Sequence, residues 1–273
     1  MTVTKAIIPV AGWGTRRLPI TKSIEKCMLP IGNRPIVDYI VRDCIKAGIT
    51  DIFFVINKGS RQIQDYYSDN ERLNQFLEYN RQQDLIELAR PPRNVTFHYV
   101  EQDSSDKYGT AIPLSLVYPQ LKKGESVLYV MGDAFYHAAD GASEFARLIA
   151  GTPEGGVALL SSEVPREQLS RYGVIDFDED TGGFHGIVDY PQPDQAPSNQ
   201  INDGNYVLNY DVMTRAYEYC QLNVSGEYFL TMVVSQYVLD KGIVNVVKSQ
   251  GEYLDCGNVH GWMHANQLIV NRL

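Results

Sequence analysis

Short apolar runs alternate with amphipathic segments along the first half of the chain. The β-branched runs "KAIIPVAG" and "DIFFVIN" predict buried strands, and "PIVDYIVRDCIKAGI" has apolar residues at helical spacing that predict a helix ending at Gly48. The alternation continues with two predicted helices, "SRQIQDYYS" and "TAIPLSLVYPQL", and two predicted strands, "NVTFHYVEQ" and "SVLYVMGDAF". This βαβ order predicts an α/β fold whose central sheet is mostly parallel and flanked by helices, with ligands at the carboxyl ends of its strands.

The pattern becomes more mixed after Val157. Three further strands are predicted, with turns at "EDTGG" and at a proline cluster, from the runs "GVALLSSEV", "YGVIDFD" and "FHGIVDYPQP". Residues 70–92 are polar and lack a clear apolar stripe, and there we expect a helical or lid-like insertion. No linker divides the chain and no segment repeats, so we expect a single Rossmann-like domain over residues 1–273, with halves at approximately 1–150 and 151–273.

Composition narrows the classes of function. The chain has 273 residues, 44% of them hydrophobic, and a formal net charge of −9, which argues against nucleic acid or an anionic membrane as a partner. The first residues do not fit a signal peptide, and no apolar run approaches the ~18 residues of a membrane span. The four cysteines have no CxxC spacing, so we expect reduced thiols and a cytoplasmic location.

The positive charge of this acidic chain gathers beside a glycine turn. The stretch "AGWGTRRLPITKSIEKCMLPIGNRP", residues 11–35, follows the first predicted strand and carries two arginines and two lysines before Cys27. A glycine turn directly after a strand lets backbone N–H groups approach anionic oxygens. A Walker loop is not present, and the dinucleotide fingerprint GxGxxG fails because Arg17 stands in place of its third glycine. The remaining interpretation is a different kind of nucleotide-phosphate site.

This stretch resembles the opening signature of the sugar-phosphate nucleotidyltransferases. That signature is a strand followed by G-x-G-T-R-x-x-P, then a lysine and a proline, and "GWGTRRLP", Lys26 and Pro30 occupy those places. Within the family the resemblance is to the bacterial UTP–glucose-1-phosphate uridylyltransferases. Later segments resemble family motifs in the same order: "VEQ" with "YGTAI", "YVMGDAF", "SRYGVID", "PQPDQAPSN" with "GNYVL", "GEYFLT" and "LDCGNVHGWMHAN".

The resemblance implies that UTP and glucose 1-phosphate form UDP-glucose and pyrophosphate by in-line attack on the α-phosphorus. Because both reactants are anions, cations must converge on the site. The resemblance assigns catalysis to Arg16, Lys26 and Asp133, with Asp133 and Asp255 as ligands of a Mg²⁺ cofactor. It also implies a homo-oligomer, a dimer or tetramer, and a nucleotide-binding first half with a smaller sugar-binding β portion in the second half.

Binding residues follow from the same resemblance. Nucleotide contacts are implied for the glycine turn and the base-recognition segments, namely Ala11, Gly12, Gly14, Thr15, Gln102 and Gly109. Sugar-phosphate contacts are implied for Gly173, Asp189, Tyr190, Gly204 and Glu227. Arg17 is either a further phosphate contact or a structural arginine, and Cys27 is expected to be a packed thiol.

The sequence departs from the family at "VDYP", residues 188–191, where V-E-K-P is usual. Tyr190 replaces a lysine that contacts the sugar phosphate in the family, and Lys107 is a candidate to restore that charge. Losing a charge-assisted hydrogen bond costs about 1.5–3 kcal/mol. Two alternatives therefore stay open: a catalytically weakened, regulatory paralogue, and a related transferase that uses dTTP or another sugar 1-phosphate. A nicotinamide dehydrogenase is least favoured.

Overall fold

Strands and helices alternate along the part of the chain that the computed structural model describes, residues 2–103, 106–222 and 226–271. The strands are β1 (Lys5–Pro9), β2 (Pro30–Ile31), β3 (Arg34–Pro35), β4 (Asp51–Asn57), β5 (Thr96–Gln102), β6 (Val127–Tyr129), β7 (Ala134–His137), β8 (Val157–Glu163), β9 (Gly173–Phe177), β10 (Phe184–Asp189), β11 (Gln200–Leu208), β12 (Val244–Lys248) and β13 (Glu252–Asp255). The helices are α1 (Ile36–Lys46), α2 (Gln62–Tyr66), α3 (Glu71–Tyr79), α4 (Ile86–Ala89), α5 (Ile112–Val117), α6 (Glu144–Ala150), α7 (Tyr210–Gln221), α8 (Leu230–Leu239) and α9 (Val259–Val270).

The central sheet is parallel in its first half and gains antiparallel strands in its second. β1 pairs in parallel with β4 and β6, and β4 pairs in parallel with β5. β11 then runs antiparallel to β6, β8 and β9, and β10 runs antiparallel to β9. The described strands follow the order β10-β9-β11-β6-β1-β4-β5, with β8 and β12 joined through β11. The predicted α/β class with a mixed central sheet and a smaller β portion is confirmed.

Two apolar cores cover the two faces of this sheet. Successive side chains of a strand point to opposite faces, so in β1 the side chain of Ile8 packs into one core and that of Ile7 into the other. On the Ile8 face, α1 buries Ile36 and Ile40, which are one helical turn apart. The predicted end of this helix is also observed, since the chain turns at Gly48 with a φ of 88°. The apolar residues on both faces of the strands therefore explain why the sheet is covered by a core on each side.

The run "SVLYVMGDAF" does not form the single strand that its apolar pattern predicts. β6 ends at Tyr129, and β7 begins at Ala134 in a separate two-stranded sheet with β13. The reason is tertiary: a Cβ at Gly132 would lie 2.8 Å from the Pro9 carbonyl oxygen and 2.5 Å from Val10 Cγ1. The backbone thus passes very close to the end of β1, where only glycine fits. The bend places Asp133 at the edge of the sheet.

The polar segment after residue 70 is helical, as expected. Asn70 begins α3 by accepting a hydrogen bond from the backbone N–H of Leu73 at 3.0 Å, and α4 follows seven residues after α3 ends. None of the helices in the described ranges combines the length and the apolar character needed to cross a membrane.

Candidate active site

The glycine turn lies directly after the central strand β1. Gly14 adopts the left-handed conformation, with a φ of 63°, and its carbonyl oxygen accepts a hydrogen bond from Thr21 Oγ1 at 2.9 Å. A Cβ at Gly14 would lie 3.0 Å from Lys26 Cβ and 3.1 Å from Thr21 Cγ2. Both the backbone conformation and the tight packing therefore require glycine here. A short 3₁₀ turn, Thr15–Arg17, follows and contains both Arg16 and Arg17.

Lys26 and Asp133 form an ion pair beside this turn. Lys26 Nζ passes close to Gly12 and donates to Asp133 Oδ2 at 2.8 Å. Burial by itself would raise the pKa of Asp133, but the charge and hydrogen bond of Lys26, with the charges of Arg17 and Arg16, lower it below its usual value. Asp133 is therefore a carboxylate at neutral pH, although it is buried.

Strand pairing brings Asp255 to the same place. In the β7–β13 pair Ala134 lies opposite Asp255, and Cys256 N donates to the Asp133 carbonyl oxygen at 3.1 Å. A Cβ placed on Gly257 would lie 2.7 Å from Asp255 Oδ1, 3.5 Å from a guanidinium nitrogen of Arg16 and 3.7 Å from Asp133 Oδ2. The two carboxylates and Arg16 therefore surround one small space that glycine leaves open.

This space suits a hard divalent cation. Mg²⁺ is usually held by one or two carboxylates and completes its coordination with water and substrate phosphate oxygens. Within the described ranges no cluster of three or more His, Cys, Asp or Glu side chains is arranged to hold a metal. The donor set of Asp133 and Asp255 thus fits a cation that binds together with a phosphate substrate, rather than a permanent structural metal.

A cavity of about 590 Å³ extends from these carboxylates toward the second half of the chain. Seven of the site residues predicted from the sequence line it: Arg16, Lys26, Asp133, Gly173, Tyr190, Gly204 and Asp255. Gly173 begins β9, and Gly204, with a φ of 77°, lies within β11, so the antiparallel strands supply the far wall. One cavity therefore joins the glycine-turn side to the predicted sugar side.

The other predicted residues lie outside this lining. Gln102 is buried at the end of β5, and Gly109, with a φ of 126°, packs against the backbone of Tyr228. Glu227 lies beside Gly109, since its Cγ would be 2.8 Å from a Cβ there. The structure thus brings Glu227 to the predicted base-recognition segment and not to the cavity wall with Gly173.

The remaining predicted residues lie close to the cavity without lining it. Asp189 pairs with Gly173, and its Oδ1 would lie 3.2 Å from a Cβ on that glycine. Ala11 is buried, and Gly12 lines a neighbouring hollow together with Trp13 and Lys22. Thr15 and Gly14 belong to the turn itself, outside the lining of the cavity.

Lys107 does not restore the charge missing at Tyr190. Its Nζ donates to the carbonyl oxygens of Cys220 at 2.7 Å and Leu222 at 3.0 Å, at the C-terminal end of α7. Carbonyl groups at a helix end attract a cation, which explains the contact. The hypothesis that Lys107 replaces the family lysine is wrong. Tyr190 itself is 67% exposed and has a φ of 51°, uncommon for a residue other than glycine.

Several residues of the cavity lining were not identified from the sequence as ligand contacts, among them three with an ionisable side chain close to the predicted residues. Arg171, Asp203 and Tyr253 all line the cavity, and Arg171 immediately precedes Tyr172 and Gly173. Arg171 belongs to the run "SRYGVID", whose positive charge was a signal available from the sequence. Asp203 was also detectable, as an acidic residue inside the strand β11, between the buried Ile201 and Tyr206.

Arg17 is buried beneath the site, with 3% of its surface exposed. Its Nη1 lies 3.5 Å from the Lys26 carbonyl oxygen, while its Nε and Nη2 have no hydrogen-bond partner in the part of the chain that is described. Burial lowers the pKa of Arg17, and the nearby charges of Cys256, Asp133 and Asp255 oppose that effect. Arg17 therefore adds a buried cation behind the carboxylates and does not line the cavity.

Cys27 is a packed thiol, as expected. It is fully buried in the core that α1 shares with β1, and burial raises its pKa far above the ordinary value. A thiol that stays protonated is a poor nucleophile. Cys27 thus supports the loop that carries Lys26 through packing alone.

Cations that converge with carboxylates beside a glycine turn are typical of proteins that transfer phosphate-linked groups. The model of the family described as "Nucleotidyl transferase" matches residues 5–272, and the chain belongs to that family. The chain is 33% identical to a UTP–glucose-1-phosphate uridylyltransferase of Haemophilus influenzae, over 96% of this chain and 91% of that protein. The solved structure of a UTP-bound UGPase from Acinetobacter baumannii is 25% identical, with a TM-score of 0.89 over 100% of this chain and 95% of that one.

A UDP-glucose pyrophosphorylase complexed with UDP-glucose gives a similar result. It is 25% identical to this chain and superposes with a TM-score of 0.81 over 100% of both chains. The resemblance that the sequence motifs indicated is therefore confirmed at the level of family, fold and relatives.

Proposed function

We propose that this protein is a UTP–glucose-1-phosphate uridylyltransferase, which forms UDP-glucose and pyrophosphate from UTP and glucose 1-phosphate. The observation that carries the proposal is the single cavity in which Arg16 and Lys26 face Asp133 and Asp255 at one end and Gly173 and Gly204 at the other. UTP–glucose-1-phosphate uridylyltransferases match 96% of this chain, which supports the choice of substrates.

The proposed reaction is a displacement at the α-phosphorus of UTP. An oxygen of the sugar phosphate forms the new bond to that phosphorus while the bond to the oxygen bridging the α- and β-phosphorus breaks, and the electron pair leaves with pyrophosphate. No covalent nucleophile of the protein is needed. Arg16 and Lys26 are proposed to hold the triphosphate with the Gly12, Gly14 and Thr15 backbone, because fixed cations offset the repulsion between two anions.

Mg²⁺ is the proposed cofactor, held by Asp133 and Asp255. When bound, it would neutralise phosphate oxygens of the nucleotide in the space beside Gly257. The chain's own contribution there is to keep the Asp133 carboxylate ionised although it is buried, and its lowered pKa meets that requirement.

The base and the sugar are proposed to bind at opposite ends of the site. Gln102 and the Ala11, Gly12 and Gly109 backbones are the proposed uracil contacts. The proposed sugar-phosphate contacts remain Gly173, Gly204, Asp189, Tyr190 and Glu227; of these, Asp189 and Glu227 do not line the cavity. Arg171 lines the cavity together with Tyr190 and has no ion pair among the described residues. We propose that its guanidinium supplies the charge for the sugar phosphate that Tyr190 lacks.

The experiment that tests this function measures pyrophosphate release from UTP and glucose 1-phosphate by the purified protein with Mg²⁺. Omission of each substrate in turn, and addition of a chelator in place of Mg²⁺, are the controls. We expect release that needs both substrates and the metal. Release no greater than in a mixture without protein would overturn the proposal. A panel with dTTP and with galactose and N-acetylglucosamine 1-phosphates identifies the preferred pair.

A second candidate is a catalytically weakened protein that binds nucleotide and regulates a partner. Tyr190 is the observation that favours it, because a neutral, exposed side chain stands where the family carries a lysine. UTP binding without detectable turnover in the same assay is the result expected of this candidate. Tyr190→Lys separates this candidate from an active enzyme, because a large gain of rate is expected only of a weakened protein.

We also propose a cytoplasmic homo-oligomer, a dimer or a tetramer. The four free, buried cysteines support a reducing compartment, and the family resemblance supports the assembly. Light scattering coupled to gel filtration tests the assembly, and a mass of about 31 kDa, that of one chain, would contradict it.

A further inference from the structure

Asp203 is a buried acid in the wall of the cavity, 3% exposed, on the strand β11. We propose that Asp203 is a specificity-determining residue whose Oδ1 hydrogen-bonds a hydroxyl group of the hexose 1-phosphate. The inference rests on the proposed function and names a contact that selects the sugar.

Hydroxyl groups behind the cavity hold one oxygen of this side chain. Asp203 Oδ2 accepts hydrogen bonds from Tyr136 OH at 2.6 Å and from Ser162 Oγ at 2.8 Å. The network continues, because Asn205 Nδ2 donates to Tyr136 OH at 2.8 Å and Ser162 Oγ lies 2.9 Å from Ser249 Oγ. Such a network fixes the rotamer of Asp203.

The other oxygen has no partner. Asp203 Oδ1 is buried and makes no hydrogen bond within the described ranges of the chain. Asp203 lines the cavity, whereas its two hydroxyl donors, Tyr136 and Ser162, do not. A buried polar atom without a partner costs free energy, which a ligand group can recover by pairing with it. The cavity is where that ligand group would be.

The position favours a neutral ligand group over a phosphate. Asp203 is neighboured along β11 by Asn202 and Gly204, which also line the cavity and carry no charge. Burial raises the pKa of Asp203 to about 8, so at neutral pH the group is largely a carboxylic acid. A carboxylic acid both donates and accepts, as a sugar hydroxyl does, and a site built to pair a hydroxyl rejects analogues that lack it.

The test compares sugar analogues against variants. Asp203→Ala removes the oxygen that has no partner, and Ser162→Ala, the matched control, removes a donor to Oδ2 from the same network at a residue that does not line the cavity. The substrates are glucose 1-phosphate and its 2-, 3-, 4- and 6-deoxy analogues, with kcat and KM measured for each. We expect the unaltered protein to discriminate against one deoxy analogue by about ten-fold or more.

In Asp203→Ala that discrimination should fall to about one, mainly through KM for the sugar phosphate, with KM for UTP unchanged. Ser162→Ala should keep it. Equal discrimination at every hydroxyl in Asp203→Ala and the unaltered protein would overturn the inference while leaving the proposed function intact. If Asp203→Ala does not fold, Asp203→Asn carries the same comparison, because the amide oxygen keeps an acceptor for the network while an NH2 group, which cannot accept, replaces the unpaired oxygen.

Calorimetry with UDP-glucose gives a second readout that needs no turnover. We expect Asp203→Ala to weaken UDP-glucose binding about ten-fold and to leave UTP binding unchanged. Equal UDP-glucose affinity in the two proteins would overturn the inference even if the protein proved to be inactive, so the two failures are distinguishable.

Discussion

Lys26 Nζ and Asp133 Oδ2 lie 2.8 Å apart, so the cation proposed for the triphosphate and the carboxylate proposed for the metal form one ion pair. Lys26 is the largest of the influences that lower the pKa of Asp133, so the pair keeps this buried carboxylate ionised. A triphosphate that draws Lys26 toward its own oxygens would release Asp133 toward the metal. The proposed binding of the triphosphate by Lys26 and of the metal by Asp133 would therefore be coupled through this pair.

Lys26→Ala should lower kcat/KM by about 100-fold or more, because it removes a fixed cation from the reacting phosphates. It should also raise the pKa of Asp133 and make the Mg²⁺ requirement more sensitive to acid pH. The measurement is the pH profile of the initial rate at several Mg²⁺ concentrations. Lys5→Ala is the matched control, since Lys5 and Glu125 form a similarly half-buried pair at 2.7 Å far from the cavity. Equal losses in both variants would contradict a catalytic role.

Gly257→Ala should fill the space between the two carboxylates. The added Cβ would lie 2.7 Å from Asp255 Oδ1 and 3.7 Å from Asp133 Oδ2, so Asp255 would have to move. We expect kcat/KM to fall about ten- to a hundred-fold and the Mg²⁺ needed for half-maximal rate to rise, with little change in thermal stability. Gly186→Ala is the control, because no atom lies within 4 Å of a Cβ there. An unchanged Mg²⁺ dependence in Gly257→Ala would place the metal elsewhere.

Arg17→Met should strengthen metal binding. The buried guanidinium opposes a further cation beside Asp133 and Asp255, and Nε and Nη2 gain no hydrogen bond among the described residues in return. Replacing a poorly satisfied buried charge by an apolar side chain of similar length is often neutral or stabilising. We therefore expect a several-fold lower Mg²⁺ requirement and no loss of unfolding free energy, measured by metal titration and by urea denaturation. Arg17→Lys, which keeps the charge, should behave like the unaltered protein.

Arg171 and Tyr190 allow a rescue experiment. Arg171→Ala should lower kcat/KM for glucose 1-phosphate by about ten- to a hundred-fold, the equivalent of one charge-assisted hydrogen bond at about 1.4 kcal/mol per ten-fold. Tyr190→Lys alone should change the rate by less than about three-fold, since Arg171 already supplies the charge. The double variant should recover most of the lost rate. A large gain from Tyr190→Lys alone would instead favour the weakened, regulatory protein.

The fold was more predictable from the sequence than the site, for a physical reason. The strands β1 and β4 and the helix α1 follow from local apolar spacing, which one segment determines by itself. The break between β6 and β7 depends on how closely Gly132 approaches β1, and the space beside Gly257 depends on pairing between β7 and β13. Such features belong to two segments that meet only in the folded chain.

The site residues divide in the same way. The family resemblance predicts that Arg16, Lys26, Asp133 and Asp255 meet in one site, and the structure brings them together in one cavity. Whether Lys107 reaches Tyr190 depends instead on the conformation of a loop, and the end of α7 takes that lysine. The sequence shows that Lys107 is positively charged, but it does not show whether this lysine will contact a phosphate in the site or carbonyl groups at the end of a helix.

Asp203 should make the stability of the protein depend on pH between about 4 and 8. Its pKa is about 8 in the folded chain, where burial is the main cause and Glu144 adds to it, against 3.8 as the ordinary value. Between these values the folded state binds the proton and the unfolded state does not, so the unfolding free energy falls as pH rises. The stability that proton binding to Asp203 contributes is fully present below about pH 4 and has been lost once the pH has risen through about 8. Asp203→Asn removes it while all other groups titrate alike. Urea denaturation at several pH values measures the unfolding free energy of both proteins. As pH rises, the unaltered protein should lose stability relative to Asp203→Asn. A difference that is constant from pH 5 to pH 9 would mean that Asp203 keeps an ordinary pKa in the folded protein.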